Sequence, residues 1–107
     1  MDQDGAETDF SASSSVADGR TTVVVRGEVD MSTADAMFQA VVGDGAGSAL
    51  LDLRGVTFFD SAAIHALIRL AERFPGAFEV IPSRPVFRVL DISGLSTQPW
   101  LVRAEPG

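Results

Sequence analysis

The chain has 107 residues, of which 46% are apolar, and this length and composition allow one small domain with a single hydrophobic core. Its formal charge of -7 disfavours direct binding to nucleic acid, and the absence of cysteine excludes disulfides and thiolate metal sites. Because the sequence has neither a signal peptide nor the roughly 20 consecutive apolar residues that span a bilayer, we expect a cytoplasmic protein without membrane insertion.

The N-terminal part of the chain predicts a tail followed by a β-hairpin. Residues 1–8 are acidic and polar, which indicates a flexible tail in front of one domain at 9–107. The β-branched run Thr21–Val25 predicts a strand, and a weaker edge strand precedes it. Asp18 and Gly19 form a turn dipeptide between the two strands, which predicts a hairpin.

Helical periodicity and strand patterns alternate in the rest of the chain. A first helix is predicted from Ala34, Met37, Phe38 and Val41, with Ser32 or Thr33 as its N-cap and Gly43 at its end. A buried strand follows over 48–56, and a second helix is predicted with an apolar face of Ile64, Leu67, Ile68 and Ala71. A strand over 77–82, a third helix between Ser83 and Gly94 and a last edge strand over 96–104 complete the pattern.

This order predicts an α/β fold with a mixed β-sheet, an N-terminal hairpin and packed α-helices. Ligand sites on such sheets usually lie at the carboxyl ends of parallel strands, where two loops are predicted, Gly27–Ser32 and Gly55–Ser61. If their strands are adjacent, the two loops are neighbours in space.

Catalytic chemistry has little support in the sequence. The carboxylates that could perform acid-base work or bind a metal are Glu28, Asp30, Asp52 and Asp60, but nothing indicates a cleft in which they converge. They are interpreted as helix caps and solvated loop residues. His65 is the only histidine and follows Ser61 by four residues on the same helix, which gives no attacking geometry. We therefore predict a protein that is not an enzyme and needs no cofactor or metal.

Three segments of the chain form a set with a definite order and spacing: "GEVDMSTAD" at 27–35, "LLDLRGVTFFDSAAI" at 50–64 and "ISGL" at 92–95. Together they resemble the STAS domain family, specifically the bacterial anti-sigma factor antagonists. Their order and spacing match the family from about Thr8 to Val102. The resemblance implies a single STAS-like domain in which Ser61 corresponds to the family's phosphoacceptor serine.

The resemblance also implies the partners. An antagonist of this family binds an anti-sigma factor that is also a serine kinase, is released when that kinase phosphorylates it, and is restored by a serine phosphatase. Sigma-factor-dependent transcription is thereby regulated. From the two predicted loops and the Ser61 helix we expect the partner-binding surface to contain Asp30, Ser32, Asp60, Ser61, His65 and Arg69.

Two alternatives remain open from the sequence. Many family members have Ser-Gly after the phosphoacceptor, whereas this chain has Ala62 and Ala63, so Ser61 could serve only as a helix cap. The domain could equally be a STAS scaffold or a transporter-associated subunit that is never phosphorylated, since one fold serves several functions.

Overall fold

Four strands and three helices make up residues 10–102, the part of the chain that the computed structural model describes. The predicted tail at 1–8 lies outside these residues. The strands are β1 (Ser11–Ala17), β2 (Arg20–Val29), β3 (Ser48–Phe59) and β4 (Phe78–Pro82). The helices are α1 (Ala34–Val42), α2 (Ser61–Arg73) and α3 (Arg84–Ile92).

The strands form one mixed sheet in the order β1-β2-β3-β4, which confirms the predicted architecture. β1 runs antiparallel to β2, and β2, β3 and β4 are parallel to one another. The hairpin turn is the predicted Asp18-Gly19 pair, with φ of 54° and 77°, as a two-residue turn with the mirror-image backbone requires. The predicted last edge strand is reduced to a single parallel bridge between Val80 and Leu101.

One hydrophobic core lies between the sheet and the helices. Alternate residues of the central strands are buried, such as Val23 and Val25 in β2 and Leu51 and Leu53 in β3, as a sheet packed on one face requires. All three helices contribute to the same cluster. The predicted apolar face of α2 is partly wrong: the helix buries Ala63, Ala66, Leu67 and Leu70, whereas Ile64, Ile68 and Ala71 are only half-buried. Two alanines on the inner face allow a close approach to the core, so the larger isoleucines lie at its sides.

The ends of α3 follow the predicted local chemistry. The Ser83 hydroxyl accepts a hydrogen bond from the Val86 amide at 3.3 Å and donates one to the Val56 carbonyl at 2.7 Å, which fixes the start of the helix beside β3. At the other end Gly94 has a φ of 80°, and the Leu95 amide donates to the Leu90 carbonyl at 2.8 Å. This is the Schellman arrangement, which glycine favours because it has no Cβ.

The two predicted loops at the carboxyl ends of the strands are shorter than expected. β2 continues to Val29 and β3 to Phe59, so half of Gly27–Ser32 and most of Gly55–Ser61 lie within strands. The pairing of β2 with β3 shifts register after Val24 and again after Gly27, and then resumes. The glycines therefore mark irregularities inside the strands rather than strand ends.

Candidate functional site

The turns that follow β2 and β3 lie side by side, as predicted for loops on adjacent parallel strands. The turn after β2 contains residues 30–33, and the turn after β3 is the single residue Asp60. The Asp60 amide donates a hydrogen bond to the Val29 carbonyl at 3.3 Å, which joins the two turns. Each turn leads directly into a helix, α1 or α2.

The first turn is built by Asp30. One oxygen of its carboxylate, Oδ1, accepts hydrogen bonds from the Ser32 amide at 2.9 Å and from the Ser32 hydroxyl at 2.8 Å. The Asp30 carbonyl accepts from the amides of Thr33 and Ala34 at 3.0 and 2.8 Å. The hydrogen bonds from Ser32, supported by Thr33, hold the pKa of the Asp30 carboxyl below its ordinary value. The polar groups of Asp30 and Ser32 are therefore engaged with each other inside the turn.

Thr33 occupies the N-cap position of α1, but its side chain does not cap the helix. Its hydroxyl instead accepts a hydrogen bond from the Asp30 amide at 2.9 Å and donates one to the Glu28 carbonyl at 3.0 Å. Ser32 does not cap the helix either, because its hydroxyl points to Asp30. The predicted capping by Ser32 or Thr33 is wrong, since the turn itself uses both hydroxyls.

The second turn places Ser61 at the start of α2 without using its hydroxyl. Asp60 is the N-cap, and its carboxylate accepts a hydrogen bond from the Ala63 amide at 3.1 Å. Ser61 is the first helical residue and is exposed, and its hydroxyl makes no hydrogen bond to any residue within 10–102. The hypothesis that Ser61 caps the helix is therefore wrong, because its neighbour has that role.

His65 and Arg69 follow Ser61 at intervals of four residues on α2, and both are exposed. Residues at this spacing share one side of a helix. The guanidinium carbon of Arg69 lies 4.2 Å from the centre of the Phe38 ring, which links α2 to α1 through a cation-π contact. The exposed stripe of Ser61, His65 and Arg69 thus begins beside the two turns and runs down the helix.

The carboxylates considered for catalysis have separate structural environments. Asp52, within β3, pairs with the Arg54 guanidinium at 3.0 and 2.8 Å, and this contact lowers the pKa of the Asp52 carboxyl. Asp30 builds a turn and Asp60 caps a helix. In the part of the chain that the structure describes, no three acidic, histidine or cysteine side chains come together as a metal site would require.

Two exposed apolar residues lie at this end of the sheet and were not among the site residues predicted from the sequence. Met31, between Asp30 and Ser32 in the first turn, is 82% exposed, and Phe58, near the end of β3, is 49% exposed. Alternation along β3 would place Phe58 on the buried face with Val56, but the pairing with β2 shifts register between them, so Thr57 and Phe58 are both exposed and Phe59 is buried. The sequence pattern therefore gave no signal for Phe58. Nothing in the sequence around Met31 indicated its exposure.

A cavity of about 390 Å³ lies at the opposite end of the sheet, where the parallel strands begin. Its walls include Phe74, Phe78 and Trp100, and the Arg20–Glu79 ion pair, with 2.9 Å between nitrogen and oxygen, lies beside them. The Trp100 ring packs against Phe78 with 6.0 Å between ring centres, as expected for a packing residue. Among residues 10–102 no helix has the length and apolar character needed to cross a membrane.

The comparison with protein families agrees with this architecture. The family model of the STAS domain matches residues 11–104, which is nearly the whole chain. The chain belongs to the STAS domain family. No curated protein sequence matches it significantly.

Three solved structures show a similar fold. An anti-sigma factor antagonist from Mycobacterium paratuberculosis is 31% identical, with a TM-score of 0.73 over 86% of this chain and 84% of that one. The unphosphorylated form of the anti-sigma factor antagonist SpoIIAA is 21% identical, with a TM-score of 0.62 over 91% of this chain and 89% of that one. The phosphorylated form of the Bacillus cell fate determinant SpoIIAA is 21% identical, with a TM-score of 0.60 over 91% and 92%.

Proposed function

We propose that this protein is an anti-sigma factor antagonist whose binding is controlled by phosphorylation of Ser61. In its unmodified form it binds an anti-sigma factor that has serine kinase activity, and the released sigma factor directs transcription. When phosphate is transferred from ATP to the Ser61 hydroxyl, the complex with the anti-sigma factor dissociates. A serine phosphatase then restores the unmodified form. The protein acts by binding.

The observation that carries this proposal is the free hydroxyl of Ser61. Because Asp60 caps α2, the Ser61 hydroxyl is exposed and has no role in the fold of the described residues. A phosphoacceptor has to be reachable by a kinase, and its modification has to leave the domain folded. The exposure of Ser61 and the cap provided by Asp60 support both requirements for Ser61, whereas the Ser32 hydroxyl is bound to Asp30.

The position of Ser61 at a helix start also suits a phosphate. Phosphorylation adds about -1.5 to -2 charges, and the N-terminal amides of a helix attract anions. The fold is similar to both the unphosphorylated and the phosphorylated structure of SpoIIAA. We therefore expect the phosphate to change the surface and to leave the fold intact.

Loss of binding follows from the surroundings of Ser61. A partner docked over this residue would have to desolvate a phosphate beside the Asp60 carboxylate, and both burial and like charge oppose that. A loss of about 2.7 kcal/mol already lowers affinity about a hundredfold. The proposed partner surface contains the two turns and the exposed stripe of α2, that is, Asp30, Ser32, Asp60, Ser61, His65 and Arg69.

The test begins with the partner. Tagged wild-type protein is purified from a native lysate, and mass spectrometry identifies what copurifies and the mass of the Ser61 peptide. The copurified anti-sigma factor is then produced in pure form and incubated with ATP and either wild-type protein, Ser61→Ala or Ser15→Ala, which removes an exposed serine on β1 outside the proposed surface. We expect phosphate on the wild type and on Ser15→Ala, and none on Ser61→Ala.

Other outcomes separate the alternatives. Stable copurification with a membrane transporter complex and an unmodified Ser61 peptide would support a transporter-associated subunit instead. If Ser61→Ala still incorporates phosphate, another residue is the phosphoacceptor.

A further inference from the structure

Large apolar residues that remain exposed are few in the described part of the chain. Among residues 10–102, Val16, Met31, Phe58 and Ile92 are about half exposed or more. Single exposed apolar residues are ordinary on protein surfaces. Met31 and Phe58, however, both lie at the end of the sheet where Ser61 begins α2.

Met31 is held outward by the turn on either side of it. Asp30 accepts hydrogen bonds from the Ser32 amide and hydroxyl, and the Asp30 carbonyl binds the Thr33 and Ala34 amides. A change of the Met31 backbone that turned the residue toward the core would break this set of bonds. The residue is therefore presented to solvent by a fixed backbone, which reduces the ordering cost of binding through it.

Phe58 is held outward by its strand. Successive side chains of a strand point to opposite faces, and the next residue, Phe59, is buried in the core. Phe58 is the pairing partner of Glu28 in β2. Since Met31 follows Glu28 by three residues, at most about 11 Å of chain separates Met31 from that pair.

We infer that Met31 and Phe58 are the apolar anchors through which the anti-sigma factor holds this protein, an inference that rests on the function proposed above. An interface of standard size covers about 800 Å² on each partner, enough to contain both anchors and Ser61. Met and Phe are enriched in the buried centres of interfaces, which are surrounded by polar rims.

The charges around the anchors define the chemistry of the occupant. The acidic residues within four positions of either anchor are Glu28, Asp30, Asp35 and Asp60. The one basic residue within the same sequence distance, Arg54, is paired with Asp52, and Arg69 on the proposed partner surface has its guanidinium over the Phe38 ring. The complementary surface is therefore an apolar depression bordered by Lys or Arg side chains on the anti-sigma factor. An acidic membrane surface would be repelled.

These anchors also explain how one phosphate could disrupt the complex. If Met31 and Phe58 are buried in the interface, Ser61 lies among groups that exclude water. A phosphate on Ser61 would then lose its hydration on binding, and this cost adds to the repulsion from Asp60.

The experiment measures binding of the purified anti-sigma factor by calorimetry. We expect Met31→Ala and Phe58→Ala each to lower affinity about tenfold or more, since each removes a large apolar contact. The matched controls are Val16→Ala for Phe58 and Ile92→Ala for Met31, which remove apolar residues of nearly the same exposure, one on β1 and one at the far end of α3. Circular dichroism confirms folding of every variant.

A second measurement needs no substitution. Peroxide should oxidise Met31 in the free wild-type protein, because the residue is 82% exposed, and bound anti-sigma factor should protect it. Met37, which is fully buried, is the internal control and should react slowly in both samples.

Each outcome decides a different claim. If wild type binds the anti-sigma factor and is phosphorylated, but both anchor variants bind equally well and Met31 stays reactive, the anchors are wrong and the proposed function stands. If no anti-sigma factor binds wild type, both the anchor assignment and the proposed function are wrong. If sedimentation shows a wild-type dimer that Met31→Ala converts to a monomer, the anchors serve self-association and the inference is overturned.

Discussion

The two strand-to-helix junctions both contain an aspartate followed by hydroxyl side chains, but they use those hydroxyls differently. At the β2–α1 junction an aspartate is followed at two and three residues by Ser32 and Thr33, and both hydroxyls are bound to the turn. At the β3–α2 junction Asp60 precedes Ser61 directly, and the aspartate alone caps the helix. The spacing between carboxylate and hydroxyl therefore decides whether the hydroxyl builds the fold or stays available.

This difference explains why the two junctions suit different tasks. The longer turn fixes a backbone shape and presents Met31, while its hydroxyls are protected by their hydrogen bonds. The shorter turn leaves one hydroxyl at a helix start, where a negative charge is tolerated. The predictions below test this contrast, beginning with the largest expected effect.

The first prediction concerns binding. Ser61→Asp should lower affinity for the anti-sigma factor, up to about a hundredfold, because it places a charge beside Asp60 in the proposed interface. Ser61→Ala should bind like the unmodified protein and stay bound after ATP is added, because it cannot accept phosphate. Calorimetry measures both. If the two variants bind with equal affinity and wild type takes up no phosphate, Ser61 does not control binding, and the functional contrast between the junctions is wrong.

Aspartate has one charge and a shorter reach than phosphate, so we expect the effect of Ser61→Asp to be smaller than that of true phosphorylation. A homogeneous sample phosphorylated at Ser61 is the appropriate comparison. If it binds as tightly as the unmodified protein, charge at this position does not control the complex.

The second prediction concerns the cap of α2. Asp60→Ala should destabilise the domain by about 0.5 to 2 kcal/mol, because it removes the acceptor of the Ala63 amide. Ser61→Ala should change stability by less than about 0.5 kcal/mol, since its hydroxyl caps nothing. Urea unfolding followed by circular dichroism measures both, and a larger loss for Ser61→Ala would contradict the assignment of the cap.

The third prediction concerns the first junction. Thr33→Val keeps the shape of the side chain but removes the hydrogen bonds to the Asp30 amide and the Glu28 carbonyl. We expect a loss of about 0.5 to 1.5 kcal/mol, the usual net value of a hydrogen bond in a protein. The matched control is Thr57→Val, because the Thr57 hydroxyl makes only a long contact, 3.4 Å, with the Gly27 carbonyl. Equal effects would show that the turn does not depend on Thr33.

The fourth and smallest prediction is a pH dependence. The pKa of Asp30 is lowered in the folded state by the hydrogen bonds from Ser32, so its carboxylate favours folding. That contribution is present above the pKa of the unfolded chain, about 3.9, and is lost as the pH falls through the lower folded pKa. The difference in melting temperature between wild type and Asp30→Asn should therefore shrink below about pH 4. A difference in melting temperature that stays constant down to about pH 2 would contradict this prediction.

Several details that were predicted correctly are determined by a few adjacent residues. The Asp18-Gly19 turn, the Ser83 cap and the Gly94 helix end follow from local backbone chemistry, and the structure contains all three. The ends of β2 and β3 were not predictable in this way. They depend on pairing that shifts register at Gly27 and resumes beyond it, and the alignment of two distant segments is not visible in either one.

The candidate site was predicted in position but not in detail. The Asp-Ser pair located the start of α2, yet both residues are good caps, and only the backbone geometry assigns the cap to Asp60. Asp30 and Ser32 were selected for their polarity, which the turn uses internally. Met31 was overlooked because the exposure of an apolar residue depends on how the turn is folded.

The single bridge at Leu101 has a consequence for the behaviour of the domain in concentrated solution. The Val80 amide donates to the Trp100 carbonyl at 2.8 Å, and the Val80 carbonyl accepts from the Val102 amide at 2.9 Å, so part of the outer edge of β4 is already occupied. The other edge is β1, whose sequence SASSSVA contains neither a charged residue nor a proline, the usual protections of an edge strand. Of the two borders of the sheet, the one at β4 is therefore the better protected against strand addition between molecules.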